Sequence, residues 1–140
     1  MNSPVYTTEI LRLAASLSDP HDLEREDGRA EVRSPTCGSA ISLWVQLDEE
    51  RRVERLSMQV RACAFGQASA ALVERHSRGR THQEVSEALL ALSRWLASNA
   101  EAEAGWPGIA ALQPARERRG RHGAILLPFR ALLAAIESAR

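Results

Sequence analysis

The hydrophobic pattern of this chain changes sharply at Cys63. Before that residue, segments 41–47 and 53–62 alternate between apolar and other side chains, and a charged segment at 48–52 separates them. Such alternation predicts two half-buried strands that pair as an antiparallel hairpin. Directly after Cys63, residues 64–76 are rich in alanine, with apolar side chains at helical spacing. The pattern therefore predicts a small sheet that leads straight into a helix.

Two further helices are predicted from their first residues. Segment 6–17 has an apolar helical stripe that Thr7 or Thr8 can cap. Segment 81–98 opens with Thr81 in a capping-box sequence and continues with apolar residues at helical spacing. Both patterns indicate helices that pack one face against a core.

The ends of two helices are predicted from glycine and proline. Gly79 follows residues 64–76 and is a natural C-cap. The last helical segment, 124–138, contains Pro128. Proline is tolerated in a first turn and disruptive later, so this helix either starts near Leu127 or is kinked there.

The remaining segments complete an α+β pattern in which strands are grouped rather than alternating with helices. Residues 19–30 form a polar loop, 31–33 can begin a first strand, and 99–121 form a long connection with a helical turn near Ile109. We predict one domain over residues 1–140, with a small antiparallel three-stranded sheet packed against about four to five helices.

Composition excludes several function classes. The chain has no lysine, which excludes Schiff-base chemistry and a P-loop mechanism. Its formal net charge is zero, so no global field attracts nucleic acid or a membrane. Residues 1–10 lack the apolar stretch of a signal peptide, and the apolar run 123–129 is too short to span a bilayer. We therefore expect a cytoplasmic protein that binds neither nucleic acid nor membrane.

A basic cluster precedes the last helix. It consists of Arg116, Arg118, Arg119 and Arg121, with Glu117 among them. Such a cluster is typical of a solvated loop, and the alternative is a docking surface for an acidic partner.

The two cysteines lie at different ends of predicted strands: one precedes the first hairpin strand and the other follows the second. Cys37 precedes the first hairpin strand, between Pro35 and Gly38, in a turn that favours an exposed thiol. Cys63 stands where strand gives way to helix, and the N–H groups of a helix start, with Arg61 nearby, stabilise a thiolate. The alternative for each is a small buried hydrophobic residue.

Hairpin pairing predicts that the two cysteines lie close together, because the start of one strand meets the end of the next at one sheet edge. Among four histidines, His122 lies between the basic cluster and the last helix and is a candidate ligand for zinc or iron. His21, His76 and His82 lie in polar segments and are expected to be solvated. From the residues alone, we therefore predict two cysteine thiols that lie close together and one candidate histidine ligand, and nothing further about a site.

These segments resemble the NifU/IscU-type iron–sulfur cluster assembly scaffolds, especially their SufU-like branch. The family has a Pro-x-Cys-Gly turn before a strand, matched at 35–38, and a cysteine leading into a helix of small residues, matched at 62–69. A capped helix follows at 81–98, and segment 99–121 resembles the SufU-like insertion, with Pro-x-Arg at 114–116. The resemblance extends from residue 6 to residue 136 and implies a SufE/NifU-like fold.

The resemblance also implies a ligand set and shows where the chain departs from it. Cys37, Cys63 and His122 match family ligands, whereas Ser39 stands at the usual aspartate and Gly123 at the third cysteine. A Cys–Cys–His set remains, which Ser39 or an outside thiol would complete. It would hold a transient iron–sulfur cluster or zinc.

The resemblance implies a scaffold or carrier rather than an enzyme. Its partners would be a cysteine desulfurase, other assembly proteins and recipient apoproteins, and a homodimer is compatible with it. One alternative is a zinc-bound sulfurtransferase that accepts persulfide on Cys37 or Cys63. Another is an interaction module that binds no metal.

Overall fold

The computed structural model describes residues 6–35, 38–98 and 105–139, which form four α-helices and one sheet. The helices and strands follow in the order α1 (Thr8–Ser16), β1 (Gly28–Arg33), β2 (Ala40–Leu47), β3 (Val53–Arg61), α2 (Ala64–His76), α3 (His82–Ala97) and α4 (His122–Ser138). Two short 3₁₀ helices, Ile109–Ala115 and Arg119–Arg121, precede α4. This order confirms the predicted α+β fold.

The three strands form one antiparallel sheet in the order β1-β2-β3. Ile41, Leu43 and Val45 alternate along β2 toward the core and are at most 1% exposed. Helix α4 packs on β1 and β2, and α2 packs on β3, so the helices cover one face of the sheet. Helix α1 then packs on α2, and α3 packs on α4. None of the helices within residues 6–35, 38–98 and 105–139 combines the length and the apolar character of a membrane span.

Local signals correctly predicted two helix starts. The Thr7 hydroxyl accepts a hydrogen bond from the Ile10 N–H at 3.1 Å and caps α1. Thr81 and Glu84 form the complete capping box of α3. Hydrogen bonds from the Thr81 N–H and hydroxyl hold the pKa of the Glu84 carboxyl below its usual value.

Strand β1 begins earlier than predicted, at Gly28 rather than at residue 31. The prediction was wrong because residues 28–30 have little apolar character, although the strand they begin is held by α4. A Cβ atom at position 28 would lie 2.1 Å from the Ala135 carbonyl oxygen, so glycine is needed for this contact. The Arg29 N–H also donates to the Ser138 hydroxyl at 2.9 Å.

The C-cap of α2 is Ser77, and not Gly79 as predicted. Gly79 adopts a left-handed φ of 85° in the following turn. Its N–H donates to the Val53 carbonyl at 2.8 Å, which ties this turn to the start of β3. The glycine is therefore used to return the chain to the sheet rather than to end the helix.

Helix α4 begins at His122, so, of the two alternatives for Pro128, the start near Leu127 is wrong. Pro128 lies inside the helix and cannot donate a hydrogen bond to the carbonyl of Ala124. Helix α2 accommodates this turn, because Gly66 leaves room for the Ala124 carbonyl, which a Cβ atom would approach to 3.2 Å. The Ser69 hydroxyl, which is buried, donates to the next carbonyl, that of Ile125, at 2.6 Å.

We expect Gly66→Ala to destabilise the protein by about 1–3 kcal/mol, because it overpacks the space that Gly66 shares with Ala62 and with the first turn of α4. The added Cβ atom would lie 2.6 Å from the Ala62 Cβ atom and 3.3 Å from that of Ala124. At a solvent-exposed position inside a helix, the same change would stabilise the protein by about 1 kcal/mol. Urea unfolding measures the effect. Gly120→Ala is the control, since among the described residues no heavy atom beyond its two chain neighbours lies within 4 Å of its added Cβ atom. Equal or greater stability of Gly66→Ala would contradict the prediction.

Candidate functional site

The first turns of α2 and α4 lie side by side. Gly66 faces Ala124, and Ser69 hydrogen-bonds to Ile125, so each helix makes this contact within about two turns of its start. Cys63 directly precedes α2, and His122 is the first residue of α4. The contact therefore brings the helix starts that carry these two residues to the same part of the fold.

Cys63 is the N-cap residue of α2, at the junction between the sheet and the helix. Its side chain makes no capping hydrogen bond, and the residue is half-buried with a free thiol. The backbone around it is held firmly: its carbonyl accepts from the Gln67 N–H at 2.9 Å, and the Gln67 side chain donates to the Ala62 carbonyl at 3.1 Å. The Cys63 thiol is thus placed at the N-terminus of α2.

The predicted hairpin is confirmed, and its register bears on the first cysteine. Ala40 lies opposite Arg61, and continuing this register places Gly38 opposite Cys63. Cys37 itself lies outside the described residues, so its approach to Cys63 stays a prediction. The Ser34 N–H donates to the Ser39 carbonyl at 2.8 Å, which ties the residues on either side of this segment.

Ser39, the further candidate ligand, is 5% exposed. Thiolate, imidazole and carboxylate are the usual protein ligands of zinc, and a serine hydroxyl is not among them. Its role as a ligand stays a prediction.

His122 is half-buried, and its imidazole is hydrogen-bonded through one nitrogen. Nε2 lies 2.9 Å from the Ala115 carbonyl oxygen and 3.1 Å from that of Arg116. A carbonyl oxygen can only accept, so Nε2 carries the hydrogen, and the lone pair of the neutral ring lies on Nδ1. If His122 binds a metal in this orientation, the ligand atom is Nδ1.

Arg116 does not belong to a solvated loop. Its guanidinium carbon lies 4.7 Å from the centroid of the Trp95 ring. Its side chain also donates to the Trp95 carbonyl at 2.9 Å and to the Ser98 carbonyl. The prediction of a solvated cluster is wrong for this residue, because the stacking and the hydrogen bonds join segments distant in sequence. The other three arginines of the cluster, Arg118, Arg119 and Arg121, are exposed.

The other histidines lie elsewhere. His21 and His82 are exposed, as predicted, and His82 Nε2 lies 3.0 Å from Glu137 Oε1. His76 is half-buried, and burial, with smaller contributions from Arg75 and Arg80, lowers its pKa. Residues 6–35, 38–98 and 105–139 contain no cluster of three His, Cys, Asp or Glu side chains placed to hold a metal. A Cys–Cys–His set would need Cys37, which lies outside those ranges.

The fold and this arrangement define a small α+β domain with a cysteine and an oriented histidine at two adjacent helix starts. The sequence profile of the NifU-like N terminal domain family matches residues 5–92, more than half of the chain. The chain belongs to this family, as its sequence motifs predicted.

Two solved structures are similar to this chain. A crystal structure of a nitrogen-fixing NifU-like protein (N-terminal) from Brucella abortus has a TM-score of 0.85 and 30% identity, covering 96% of this chain and 93% of that one. A putative iron–sulfur cluster assembly scaffold protein for the SUF system, FiSufU from Fervidobacterium islandicum AW-1, has a TM-score of 0.79. It is 20% identical, with 94% of this chain and 96% of that one covered, and shares the fold. A comparison with curated proteins found no match.

Proposed function

We propose that this domain is a scaffold or carrier in iron–sulfur cluster assembly. Membership of the NifU-like family supports this role, and so does the fold shared with a SufU protein described as a putative assembly scaffold. The observation that carries the proposal is the contact between the first turns of α2 and α4. It brings together the helix starts that bear the free Cys63 thiol and the His122 imidazole.

The ligands would be the thiolates of Cys37 and Cys63 and the Nδ1 atom of His122. Thiolates suit iron–sulfur clusters and zinc, and imidazole suits zinc and iron. Three protein ligands leave one position of a tetrahedral ion open, which suits a cargo that is later passed on. Ser39 or a thiol from another molecule would occupy that position. The domain would then hold and transfer its cargo rather than turn over a substrate.

The proposed sulfur source is a cysteine desulfurase in the cytoplasm. Arg118, Arg119 and Arg121 are exposed beside α4 and form no ion pair with the residues that the structure describes. Guanidinium groups form strong hydrogen-bonded ion pairs with carboxylates, so these three arginines of the basic cluster suit an acidic surface of such a partner. Recipient apoproteins and a second copy of this chain are further proposed partners.

A zinc-bound sulfurtransferase is the second candidate. It is favoured by the Cys63 thiol, which is partly exposed and makes no capping hydrogen bond to α2. In that reaction the thiolate attacks the terminal sulfur of the donor's persulfide, the sulfur–sulfur bond breaks, and the donor thiolate leaves. The product is a persulfide on this domain. Mass spectrometry after incubation with a desulfurase and cysteine should then detect one added sulfur atom on Cys63 or Cys37.

Anaerobic purification followed by reconstitution with iron, sulfide and a desulfurase tests the leading proposal. We expect bound metal, together with the sulfur-to-iron charge-transfer absorption of a cluster. Zinc retained without any cluster, with persulfide on a cysteine, would support the second candidate instead. If neither metal nor cluster is retained by the wild-type protein, both candidates are wrong, and an interaction module that binds no metal remains.

A further inference from the structure

One arginine connects the end of α3 to the imidazole of His122. The last carbonyls of a helix have no partner within the helix and need donors from elsewhere. Arg116 donates to two carbonyls there, those of Trp95 and Ser98, and its guanidinium stacks on the Trp95 ring. A positive charge is also favourable at a helix C-terminus. Three kinds of interaction therefore hold the Arg116 side chain at this point.

The backbone of the same segment receives the histidine. The carbonyls of Ala115 and Arg116 both accept from His122 Nε2, at 2.9 and 3.1 Å. Ala115 is fully buried, and its carbonyl also accepts from the Arg118 N–H at 2.9 Å. The two carbonyls thus belong to a turn that is fixed by the burial of Ala115 and by the contacts of the Arg116 side chain with the end of α3.

We infer that Arg116 is a positioning residue for His122: by anchoring the 115–116 carbonyls to the end of α3, it fixes the orientation and tautomer of the imidazole. Histidine ligands of metals commonly donate their second ring N–H to a carbonyl or carboxylate, which orients the ring. Here that donor is Nε2, which leaves Nδ1 for the cargo. The orientation follows from the described contacts alone, whereas its use in binding rests on the proposed function.

A purely structural role for Arg116 would also stabilise the domain, so the test needs a matched arginine. Arg80 is that control. Its guanidinium carbon lies 4.5 Å from the Trp106 ring centroid. Its Nε donates to the carbonyl of His76, which is the last residue of α2, at 3.2 Å. Arg80 therefore makes the same two kinds of contact at another helix end, with no described contact to His122.

The first measurement is the nitrogen-15 NMR spectrum of the histidine side chains in the metal-free full chain, at a pH where the rings are neutral. In the wild type and in Arg80→Gln we expect one His122 tautomer, with a protected Nε2–H signal. In Arg116→Gln we expect that signal to be lost to solvent exchange and the tautomers to mix. An unchanged His122 signal in a folded Arg116→Gln protein would overturn the inference.

The second measurement is the affinity for Zn²⁺ by competition with a chelator. We expect Arg116→Gln to weaken binding about 10–100-fold, the usual effect of losing support for a metal ligand, and Arg80→Gln to leave it unchanged. In a His122→Ala background, Arg116→Gln should have no further effect. An equal loss in that background would show that Arg116 does not act through His122.

The two measurements keep failures distinguishable. If the wild type binds neither Zn²⁺ nor a reconstituted cluster, the proposed function is wrong, while the NMR result still decides whether Arg116 orients the ring. If Arg116→Gln does not fold, Arg116→Lys replaces it in both experiments, because it keeps the positive charge at the end of α3 but loses the planar fork of donors.

Discussion

Replacement of Cys63 by alanine is expected to abolish cluster retention after anaerobic reconstitution. It should also weaken Zn²⁺ binding by more than the roughly 10–100-fold that the loss of an outer-shell partner costs. The physical reason is the loss of a thiolate, the ligand type that clusters and zinc prefer. Because the Cys63 side chain makes no capping hydrogen bond, the fold should lose about 1 kcal/mol or less. Absorption spectra and metal analysis of the purified variant measure the effect.

The matched control is His82→Ala, which removes an exposed imidazole that lies 3.0 Å from Glu137 and outside the candidate site. This variant should retain the cluster and zinc as the wild type does. Cys37→Ala should behave like Cys63→Ala if both thiols serve one site. Unchanged retention in Cys63→Ala, or an equal loss in His82→Ala, would remove Cys63 from the ligand set.

Truncation of Phe129 to alanine is expected to lower the free energy of unfolding by about 3–5 kcal/mol. Phe129 is fully buried in α4, and its ring meets the Trp106 ring edge to face, with the centroids 5.1 Å apart. Trp106 is itself held by a hydrogen bond from Nε1 to the Leu72 carbonyl at 2.9 Å. Loss of the Phe129 ring would leave a cavity between α4, the segment before the 3₁₀ helices, and α2. Urea unfolding followed by circular dichroism measures the change.

Leu90→Ala is the control for that truncation, because Leu90 is 52% exposed on α3. It should change the free energy of unfolding by no more than about 0.5 kcal/mol, as surface substitutions usually do. Stabilities of natural domains are about 5–15 kcal/mol, so the Phe129 variant should be close to unfolding while the Leu90 variant is not. A loss below about 1 kcal/mol in Phe129→Ala would contradict the packing described for α4.

Much of the local structure could be predicted from the sequence, because it depends on side chains close together in the chain. Alternation along residues 41–47 is a consequence of the strand period of two, and it correctly predicted which side chains face the core. The capping box at Thr81 and the start of α2 after Cys63 are equally local. The placement of Cys63 at a strand–helix junction was therefore predictable from pattern alone.

The features that escaped prediction depend on contacts between distant residues. The early start of β1 depends on Gly28 fitting against Ala135. Pro128 lies inside α4, where the turn before it packs against α2. This contact joins residues distant in sequence, so rules based on neighbouring residues do not predict it.

The candidate site divides in the same way. Local pattern determined that a thiol stands at the first turn of α2 and a histidine before an apolar helix. Tertiary structure decided that those two helix starts adjoin, that Nε2 of His122 is the hydrogen-bonded nitrogen, and that Arg116 stacks on Trp95 rather than facing solvent. Spacing along a chain reports the face on which a residue lies. The partner that this face meets is determined by the packing of the whole core.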